Sequence, residues 1–253
     1  MKKITLIFMM SCILPLTLSA MVCSGTMTAS TAGNGDVTKL DNSTHNDCVN
    51  ADKVEWAVDK IYFYTDVYCT EGKQVLTFLG KADTAPADSE KENYADSPKL
   101  GSGSIPNGTY QCMAVRIWDN VTFSPTTDTT SGACDNATDY TFDLCGGVSY
   151  WNPDTGTSAD CAADATPASE WSWIYMSTVS TDLAADDNCA DCDWNPPTSD
   201  NLTKGITLGA PLIISKAKTS VFKTTIDNRI ADSTQLTGWG NECTMLKPAF
   251  TFE

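Results

Sequence analysis

Apolar and polar residues alternate along most of this chain, and no stretch keeps the period of an amphipathic helix. The longest alternation runs from residue 108 to residue 123 and places five apolar side chains at odd-numbered positions: Met113, Val115, Ile117, Val121 and Phe123. Successive side chains of a strand point to opposite faces of its sheet. The pattern therefore predicts one long strand with one buried face.

Residues 54–64 form a second alternating stretch, whose apolar register shifts near Asp59 and Lys60. Such a shift predicts a β-bulge, in which one extra residue is inserted into a strand. Six further short runs have the composition of strands: residues 73–79, 140–144, 171–179, 206–214, 221–226 and 245–252. Eight strands without helices predict an all-β fold, an antiparallel β-sandwich.

Four long polar segments separate the predicted strands: 80–104, 124–139, 146–170 and 180–204. Loops of this length are uncommon in a compact domain unless they are functional or held in place by other means. Nine cysteines are candidates for structural disulfides: Cys48, Cys69, Cys112, Cys134, Cys145, Cys161, Cys189, Cys192 and Cys243. The sequence thus predicts a disulfide-stapled domain with at least three bridges, and it leaves their pairing open.

The first 22 residues have the order of a bacterial signal peptide, with a basic start at Lys2 and Lys3 and an apolar run that ends near Leu18. This run is too short for a stable membrane span. Residues 23–47 are rich in Ser, Thr, Gly, Asn and Asp, which predicts a flexible tether. A single β-sandwich domain is expected over residues 48–253.

Two ways of processing this signal remain open. A type I signal peptidase would cut after Ala20 and release a freely secreted chain. A lipoprotein signal peptidase would cut before Cys23, which would then carry lipid. Val22 departs from the small residue that the lipoprotein motif places before its cysteine, whereas the polar tether favours an anchor. Either route predicts an exported protein, in the outer membrane, the periplasm or the extracellular medium, where thiols oxidise.

The formal net charge of −16 limits the partners of this protein. A surface this acidic repels phosphate backbones, which argues against nucleic acid as a partner. Contact with a membrane is expected only through a lipid on Cys23. A glycan or another protein of the cell envelope remains a candidate partner.

The single histidine of the chain, His45, lies in the predicted tether. The predicted domain therefore lacks the base of a Ser-His-Asp or Cys-His nucleophile, and it lacks a ligand for a His-based metal site. Cys189 and Cys192 form a C-x-x-C pair, but neither a thioredoxin-type α/β context nor a second pair for zinc accompanies them. We therefore expect no catalytic residues and no enzyme activity.

Four acidic residues surround this cysteine pair: Asp186, Asp187, Asp191 and Asp193. Their oxygens make calcium a candidate ligand, although their order does not match the EF-hand loop and solvated acidic loops are the simpler interpretation. No other cofactor is expected.

Three of the seven tryptophans lie in loops rich in Asn, Pro or Gly: Trp151, Trp194 and Trp239. They are candidates for stacking on sugar rings. Alternatively, they fill the core of a small disulfide-rich domain, since aromatic side chains bury a large apolar area.

The turn Ile105-Pro106-Asn107-Gly108-Thr109-Tyr110 leads directly into the long strand, and residues 211–214 and 221–227 form a late pair of strands. This turn and the order of the strands resemble a family of bacterial exported lipoproteins of unassigned function, over about half of the mature chain. The resemblance implies a prealbumin-like β-sandwich and implies no activity. The cysteine-rich insertions depart from the family's pattern.

These observations favour a non-enzymatic cell-envelope or secreted protein with a structural or interaction role. Two alternatives stay open. One is a carbohydrate-binding module that uses the loop tryptophans, and the other is a calcium-dependent, adhesin-like domain.

Overall fold

The regular structure of this protein consists almost entirely of short strands. The computed structural model describes residues 23–24, 44–45, 48–81, 83–95, 105–130, 132–136, 138–143, 149–161, 170–181, 195–215, 222–226, 230–232, 243–245 and 249–252. The strands within these residues are β1 (Cys23–Ser24), β2 (Thr44–His45), β3 (Cys48–Val49), β4 (Ala51–Trp56), β5 (Val58–Tyr64), β6 (Gln74–Thr77), β7 (Glu92–Asn93), β8 (Gly108–Tyr110), β9 (Cys112–Trp118), β10 (Asn120–Pro125), β11 (Tyr140–Asp143), β12 (Ser149–Asn152), β13 (Thr157–Asp160), β14 (Trp171–Ser177), β15 (Ile206–Thr207), β16 (Leu212–Ile214), β17 (Phe222–Thr225), β18 (Ile230–Asp232), β19 (Cys243–Met245) and β20 (Ala249–Phe252). A single 3₁₀ turn at Asp88–Glu90 is the one helical element of this described part.

Two larger sheets form the β-sandwich. The first has five strands in the order β15-β14-β9-β5-β6, and the second has four strands in the order β11-β10-β4-β7. Neighbouring strands are antiparallel in both sheets, except that β15 pairs in parallel with β14 at one edge. The predicted antiparallel β-sandwich is therefore confirmed, with one parallel pair added.

Two long segments of the chain belong to both sheets. One passes from β4 to β5 with a break at Ala57, and the other passes from β9 to β10 with a break at Asp119. β4 pairs with β10 in the smaller sheet, whereas β5 pairs with β9 in the larger one. The backbone N–H of Trp118 donates to the Ala57 carbonyl at 3.0 Å, so the two breaks lie side by side. One bent antiparallel ribbon thus joins the two sheets.

The prediction of one long strand over residues 108–123 is wrong, because the structure divides this segment into β8, β9 and β10. The carboxylate of Asp119 is buried at the second break and accepts the backbone N–H of Glu170 at 2.7 Å. The backbone N–H of Asp119 donates in turn to the Glu170 carbonyl at 3.0 Å. These two contacts turn the chain from one sheet into the other, and an alternation of apolar residues does not reveal them.

The bulge predicted near Asp59 and Lys60 is confirmed. Val58 pairs with Ile117 and Lys60 pairs with Arg116, so the register of β5 against β9 shifts at Asp59. The backbone carbonyl of Asp59 accepts the N–H of Phe78 at 2.8 Å. The extra residue therefore also binds the chain that follows β6.

The core of the sandwich contains side chains from both large sheets. Val115 of β9 lies between Ile61 of β5 and Ile174 of β14, and these residues share one cluster with Val54 and Phe123 of the smaller sheet. Full burial of each such side chain stabilises the fold by about 1.5–3 kcal/mol.

The opposite face of β9 is buried as well, which corrects the prediction of a single buried face. Cys112 and Ala114 are at most 1% exposed, and every residue of β14 is buried. Parts of the predicted polar loops cover this second face, which we call the outer face of the five-stranded sheet. For example, the indole Nε1–H of Trp171 donates to the Thr84 carbonyl at 2.9 Å.

The remaining predicted strands are present close to their expected positions, as β6, β11, β14 to β17, β19 and β20. The hairpin of β12 and β13 was not expected, since both strands lie inside the polar segment 146–170. Its two strands contain few apolar residues, so composition alone favours a loop.

Disulfides are present, as predicted, and they join distant parts of the chain. Cys69 is bonded to Cys112, and Cys134 is bonded to Cys243. Cys48 and Cys161 are disulfide-bonded as well, so the described residues require at least three bridges in all. The candidates Cys145, Cys189 and Cys192 lie outside the described residues.

The two ends of the predicted tether pair with each other through their backbones. Cys23 of β1 lies opposite His45 of β2, and Ser24 lies opposite Thr44. Among the residues that the structure describes, no helix has the length and apolar character needed to cross a membrane.

Candidate functional site

The turn between β12 and β13 is fixed to the outer face of the five-stranded sheet by Asp154. One carboxylate oxygen of Asp154 accepts the O–H of Tyr62, and the other lies 3.0 Å from the ammonium of Lys60. Lys60 and Tyr62 are two residues apart on β5, so the pleat of the strand places both on the same face. Lys73 adds a third contact, because its ammonium donates to the Pro153 carbonyl at 2.8 Å.

The strands of this hairpin are held by two further hydrogen bonds. The side-chain amide of Asn195 donates to the Ser149 carbonyl at 3.2 Å, and the O–H of Tyr150 donates to the Trp171 carbonyl at 3.4 Å. Within the described residues, β12 and β13 form a two-stranded sheet of their own and pair with neither large sheet. Side-chain contacts therefore hold it in place.

An aromatic layer lies where the hairpin turn meets the sheet. Tyr62 stacks on Trp173, with ring centroids 5.2 Å apart and planes inclined by 12°. The ammonium of Lys73 lies 4.0 Å from the centroid of the Tyr62 ring, which is the geometry of a cation–π interaction. Tyr175 follows on the same face of β14, and Ala114 of β9 is the cross-strand partner of both Tyr62 and Tyr175.

Three tyrosine hydroxyls of this layer stay protonated near neutral pH. Burial raises the pKa of Tyr62, and the carboxylate of Asp154 raises it further. Burial also raises the pKa of Tyr64 and of Tyr175, and in each case the neighbouring tyrosines and Asp154 add to the effect. A neutral phenol can donate one hydrogen bond and accept others.

The carboxyl of Asp154 is shifted in the opposite direction from these phenols. Burial raises its pKa, but the O–H of Tyr62 and the ammonium of Lys60 favour the carboxylate more strongly, so its pKa is lowered from the ordinary value. A carboxyl with a lowered pKa is a poor general acid near neutral pH. The arrangement fits a structural contact better than a catalytic one.

Trp151 lies on the outward side of the same hairpin and is 37% exposed. Its cross-strand partner is Ser158, and the next pair on that side is Ser149 with Asp160. The hydroxyl of Ser149 donates to the Asp160 carboxylate at 2.6 Å. An exposed indole ring therefore stands beside hydroxyl and carboxylate groups, a combination that can stack on a sugar ring and bind its hydroxyls.

Two further charged side chains on the outer face, Arg116 and Asp59, form contacts with other parts of the chain. The guanidinium of Arg116 lies 2.7 Å from the carboxylate of Asp59 and also donates to the Lys81 carbonyl at 2.7 Å. The second carboxylate oxygen of Asp59 accepts the backbone N–H of Lys81 at 2.7 Å. These contacts hold the segment after β6 against the sheet.

One group of side chains has the spacing of metal ligands. Asp119, Cys161 and Glu170 each bring one ligand atom within 4.8 Å of the others. Cys161 is disulfide-bonded, however, so its sulfur is not the thiolate that binds metals. The two remaining carboxylates supply fewer oxygens than a calcium site uses. This donor set therefore does not fit a metal ion.

The site residues predicted from the sequence differ in where the structure places them, and several lie outside the described residues. Trp151 is exposed, as a stacking platform requires, whereas four other tryptophans are buried: Trp56, Trp118, Trp171 and Trp173. Trp194 and Trp239 lie outside the described residues, and so do the calcium candidates Asp186, Asp187, Asp191 and Asp193. For Cys23 the structure gives its backbone pairing with His45.

Sequence reasoning missed the cluster of Asp154, Tyr62, Tyr64 and Tyr175. These residues lie on β5, on β14 and in a polar segment, so they meet only after the hairpin packs on the sheet. The alternation of tyrosines at positions 62 and 64, on the face of β5 opposite Ile61 and Phe63, was the available signal.

Comparison of the chain with protein-family models, with curated proteins and with solved structures finds no match.

Proposed function

We propose that this protein is a non-enzymatic interaction domain, exported to the bacterial cell envelope or the extracellular medium. The observation that carries the proposal is the use of the charged side chains on the outer face. Asp59 and Arg116 bind the segment after β6, and Asp154, Lys60 and Lys73 bind the hairpin. These charged side chains bind other parts of the same chain, which supports a structural or interaction role over a catalytic one.

The protonation states of Asp154 and of the tyrosines near it support the same proposal. Asp154 has a lowered pKa and the phenols of Tyr62, Tyr64 and Tyr175 have raised ones. Acid–base catalysis works best with a group whose pKa lies near the operating pH. These shifts move each group away from neutral pH.

Binding of a glycan is the second candidate function, and the exposure of Trp151 favours it. A single face of the hairpin combines this indole ring with the hydroxyls of Ser149 and Ser158 and the carboxylate of Asp160. The opposite face of the hairpin is fixed to the sheet, which orients the platform. Calcium-dependent adhesion stays a prediction from sequence.

A glycan array with Trp151→Ala tests the second candidate. We expect the wild-type domain to bind at least one glycan, and we expect the variant to lose affinity by about fivefold, since stacking of this kind contributes on the order of 1 kcal/mol. Tyr68→Ala is a matched control, because Tyr68 is 36% exposed in a different loop. Equal losses in both variants, or no bound glycan at all, would show that Trp151 is not a binding platform.

A panel of glycoside, peptide and ester substrates tests the absence of enzyme activity. We expect no turnover by the native full-length protein, with calcium or with a chelator. Turnover that disappears in a single Asp variant with intact fold would refute the proposal.

Fractionation of cells that express Cys23→Ser tests whether a lipid on Cys23 anchors the protein. Loss of the protein from the membrane fraction would support lipidation, and an unchanged distribution would count against it.

A further inference from the structure

The outward face of the hairpin of β12 and β13 presents four side chains in two cross-strand pairs, Trp151 with Ser158 and Ser149 with Asp160. Three of them are exposed, and Ser149 is half-buried. The opposite face of the hairpin packs on the sheet through Tyr150, as the pleat of a strand requires. The outward face is therefore a solvent-accessible platform that carries one indole ring and one carboxylate.

The carboxylate of Asp160 has one oxygen available to a ligand. Its Oδ1 accepts the hydroxyl of Ser149 at 2.6 Å, which is the one hydrogen bond of this carboxylate within the described residues. No ion pair of the described part of the chain includes Asp160. By contrast, Asp154 on the same hairpin contacts Lys60 and Tyr62. Asp160 thus remains exposed without a cation beside it.

The indole ring and this carboxylate are close enough to contact one ligand. Trp151 and Asp160 are diagonal neighbours across β12 and β13. Such positions are about 7–8 Å apart, and aromatic and long side chains can span that separation. A pyranose ring that stacks on Trp151 therefore brings a substituent within reach of the Asp160 carboxylate.

The charges at this platform favour a cationic substituent. The two lysines that contact the hairpin, Lys60 and Lys73, bind its turn from the side of the sheet. An ammonium group would form a charge-assisted hydrogen bond with Asp160, which is stronger than the bond from a neutral hydroxyl. The face of an indole ring also attracts cations. The net charge of −16 adds attraction for a cation and repels sugars that carry carboxylate or sulfate groups.

We propose that this face binds oligosaccharides of amino sugars whose amino group is not acylated, with the sugar ring on Trp151 and the ammonium group on Asp160. This inference rests on the glycan-binding function proposed above, and it names the class of glycan. An N-acetylated sugar keeps the ring but lacks the cation, so it binds more weakly. An acidic sugar is repelled.

Calorimetric titration of the native full-length protein tests this preference with oligomers of glucosamine and of N-acetylglucosamine of equal length. The titration is made at mildly acidic pH, so that the free amines are protonated. We expect the wild type to bind the glucosamine oligomer about fivefold more tightly at low salt, and we expect added salt to reduce this ratio. Trp151→Ala should weaken the binding of both oligomers by about fivefold.

Asp160→Asn separates the charge from the rest of the platform, because it replaces the carboxylate with a neutral amide of the same shape. It should abolish the preference for glucosamine and leave the affinity for the N-acetylglucosamine oligomer unchanged, which also shows that the hairpin is folded. Asp200→Asn is the matched control, since Asp200 is exposed and accepts the hydroxyl of Ser199 at 3.2 Å. This control changes the net charge by the same amount and should retain the preference.

Three outcomes would overturn this inference and leave glycan binding in place. They are equal affinity of the wild type for the two oligomers, a preference that Asp160→Asn retains, and an equal loss of the preference in Asp200→Asn, which would trace it to net charge alone. The inference also fails by itself if neither oligomer binds while another glycan of the array binds through Trp151. If no glycan binds at all, the glycan-binding function fails with it.

Discussion

The carboxylate of Asp59 and the guanidinium of Arg116 meet 2.7 Å apart at the bulge of β5, where the Asp59 side chain is fully buried. The bulge is the reason for the contact, because the extra residue brings Asp59 beside Arg116 on the neighbouring strand. Arg116 also lies over the ring of Trp171, at 5.3 Å from its centroid. A polar contact is thus inserted into an otherwise aromatic surface.

Removal of one member of this pair should destabilise the protein strongly. Asp59→Ala removes the closer of the two carboxylates that pair with the mostly buried guanidinium of Arg116 and leaves Asp83, which is almost fully exposed, at 3.4 Å. Loss of the buried partner of such a pair costs up to about 3–5 kcal/mol. Urea unfolding of Asp59→Ala, Arg116→Met and the double variant should show that the double variant loses less than the sum of the single losses. The exposed pair of Asp88 and Lys91 is the control, and no measurable coupling is expected there. Additive losses at Asp59 and Arg116 would contradict the role assigned to the pair.

Asp154→Asn should loosen the hairpin of β12 and β13 and leave the large sheets intact. The variant loses the ion pair with Lys60 and weakens the hydrogen bond from Tyr62. Because Asp154 is about a third exposed, solvent screening limits the loss of unfolding free energy to about 1 kcal/mol. Limited proteolysis should cut the variant faster within residues 152–157, with Ser158→Ala, at an exposed position of the same hairpin, as the control. Equal cleavage rates would show that other contacts fix the turn.

Acidification should weaken the same contact in a defined range of pH. The pKa of Asp154 is lowered from 3.8, so its carboxylate stabilises the folded state fully above that value. This contribution is lost as the pH falls below 3.8 through the pKa of the folded state. The difference in melting temperature between the wild type and Asp154→Asn should therefore be constant from neutral pH down to that value and shrink below it. A difference that shrinks already near neutral pH would disprove the assignment.

The two disulfides for which both cysteines are identified should differ in their contribution to stability. The bridge of Cys134 and Cys243 spans 109 residues, and the bridge of Cys69 and Cys112 spans 43. In the chain-entropy model, a bridge restricts the unfolded chain more when it closes a longer loop. Replacement of the first pair by serines should therefore cost about 1 kcal/mol more than replacement of the second. Denaturant unfolding of both double variants measures this difference, and the reverse order would refute the entropic explanation.

The sequence predicts a strand well where the burial of one of its faces produces the alternation of apolar and polar residues. The bulge at Asp59 is visible because it shifts the apolar register, and the core positions around Val115 follow from alternation. The break at Asp119 depends on its contacts with Glu170, which is far along the chain. Local patterns carry no information about such a partner.

The candidate sites were harder to predict for the same reason. Trp151 stood out as an aromatic residue in a polar segment. Tyr175 looked like any buried strand residue, and its lack of a hydrogen-bond partner emerges only from the packed structure. Asp154 acquires its role when the hairpin packs on β5.

The bent ribbon that passes through Ala57 and Asp119 links the opening of one large sheet to the opening of the other. Since each sheet takes two of its strands from the same pair of chain segments, we expect the two sheets to open together. Amide hydrogens of β5 and β9 should consequently exchange with solvent at the same slow rate as those of β4 and β10, in one cooperative unit. Amide hydrogens of β12 and β13, which lie outside that ribbon, should exchange much faster.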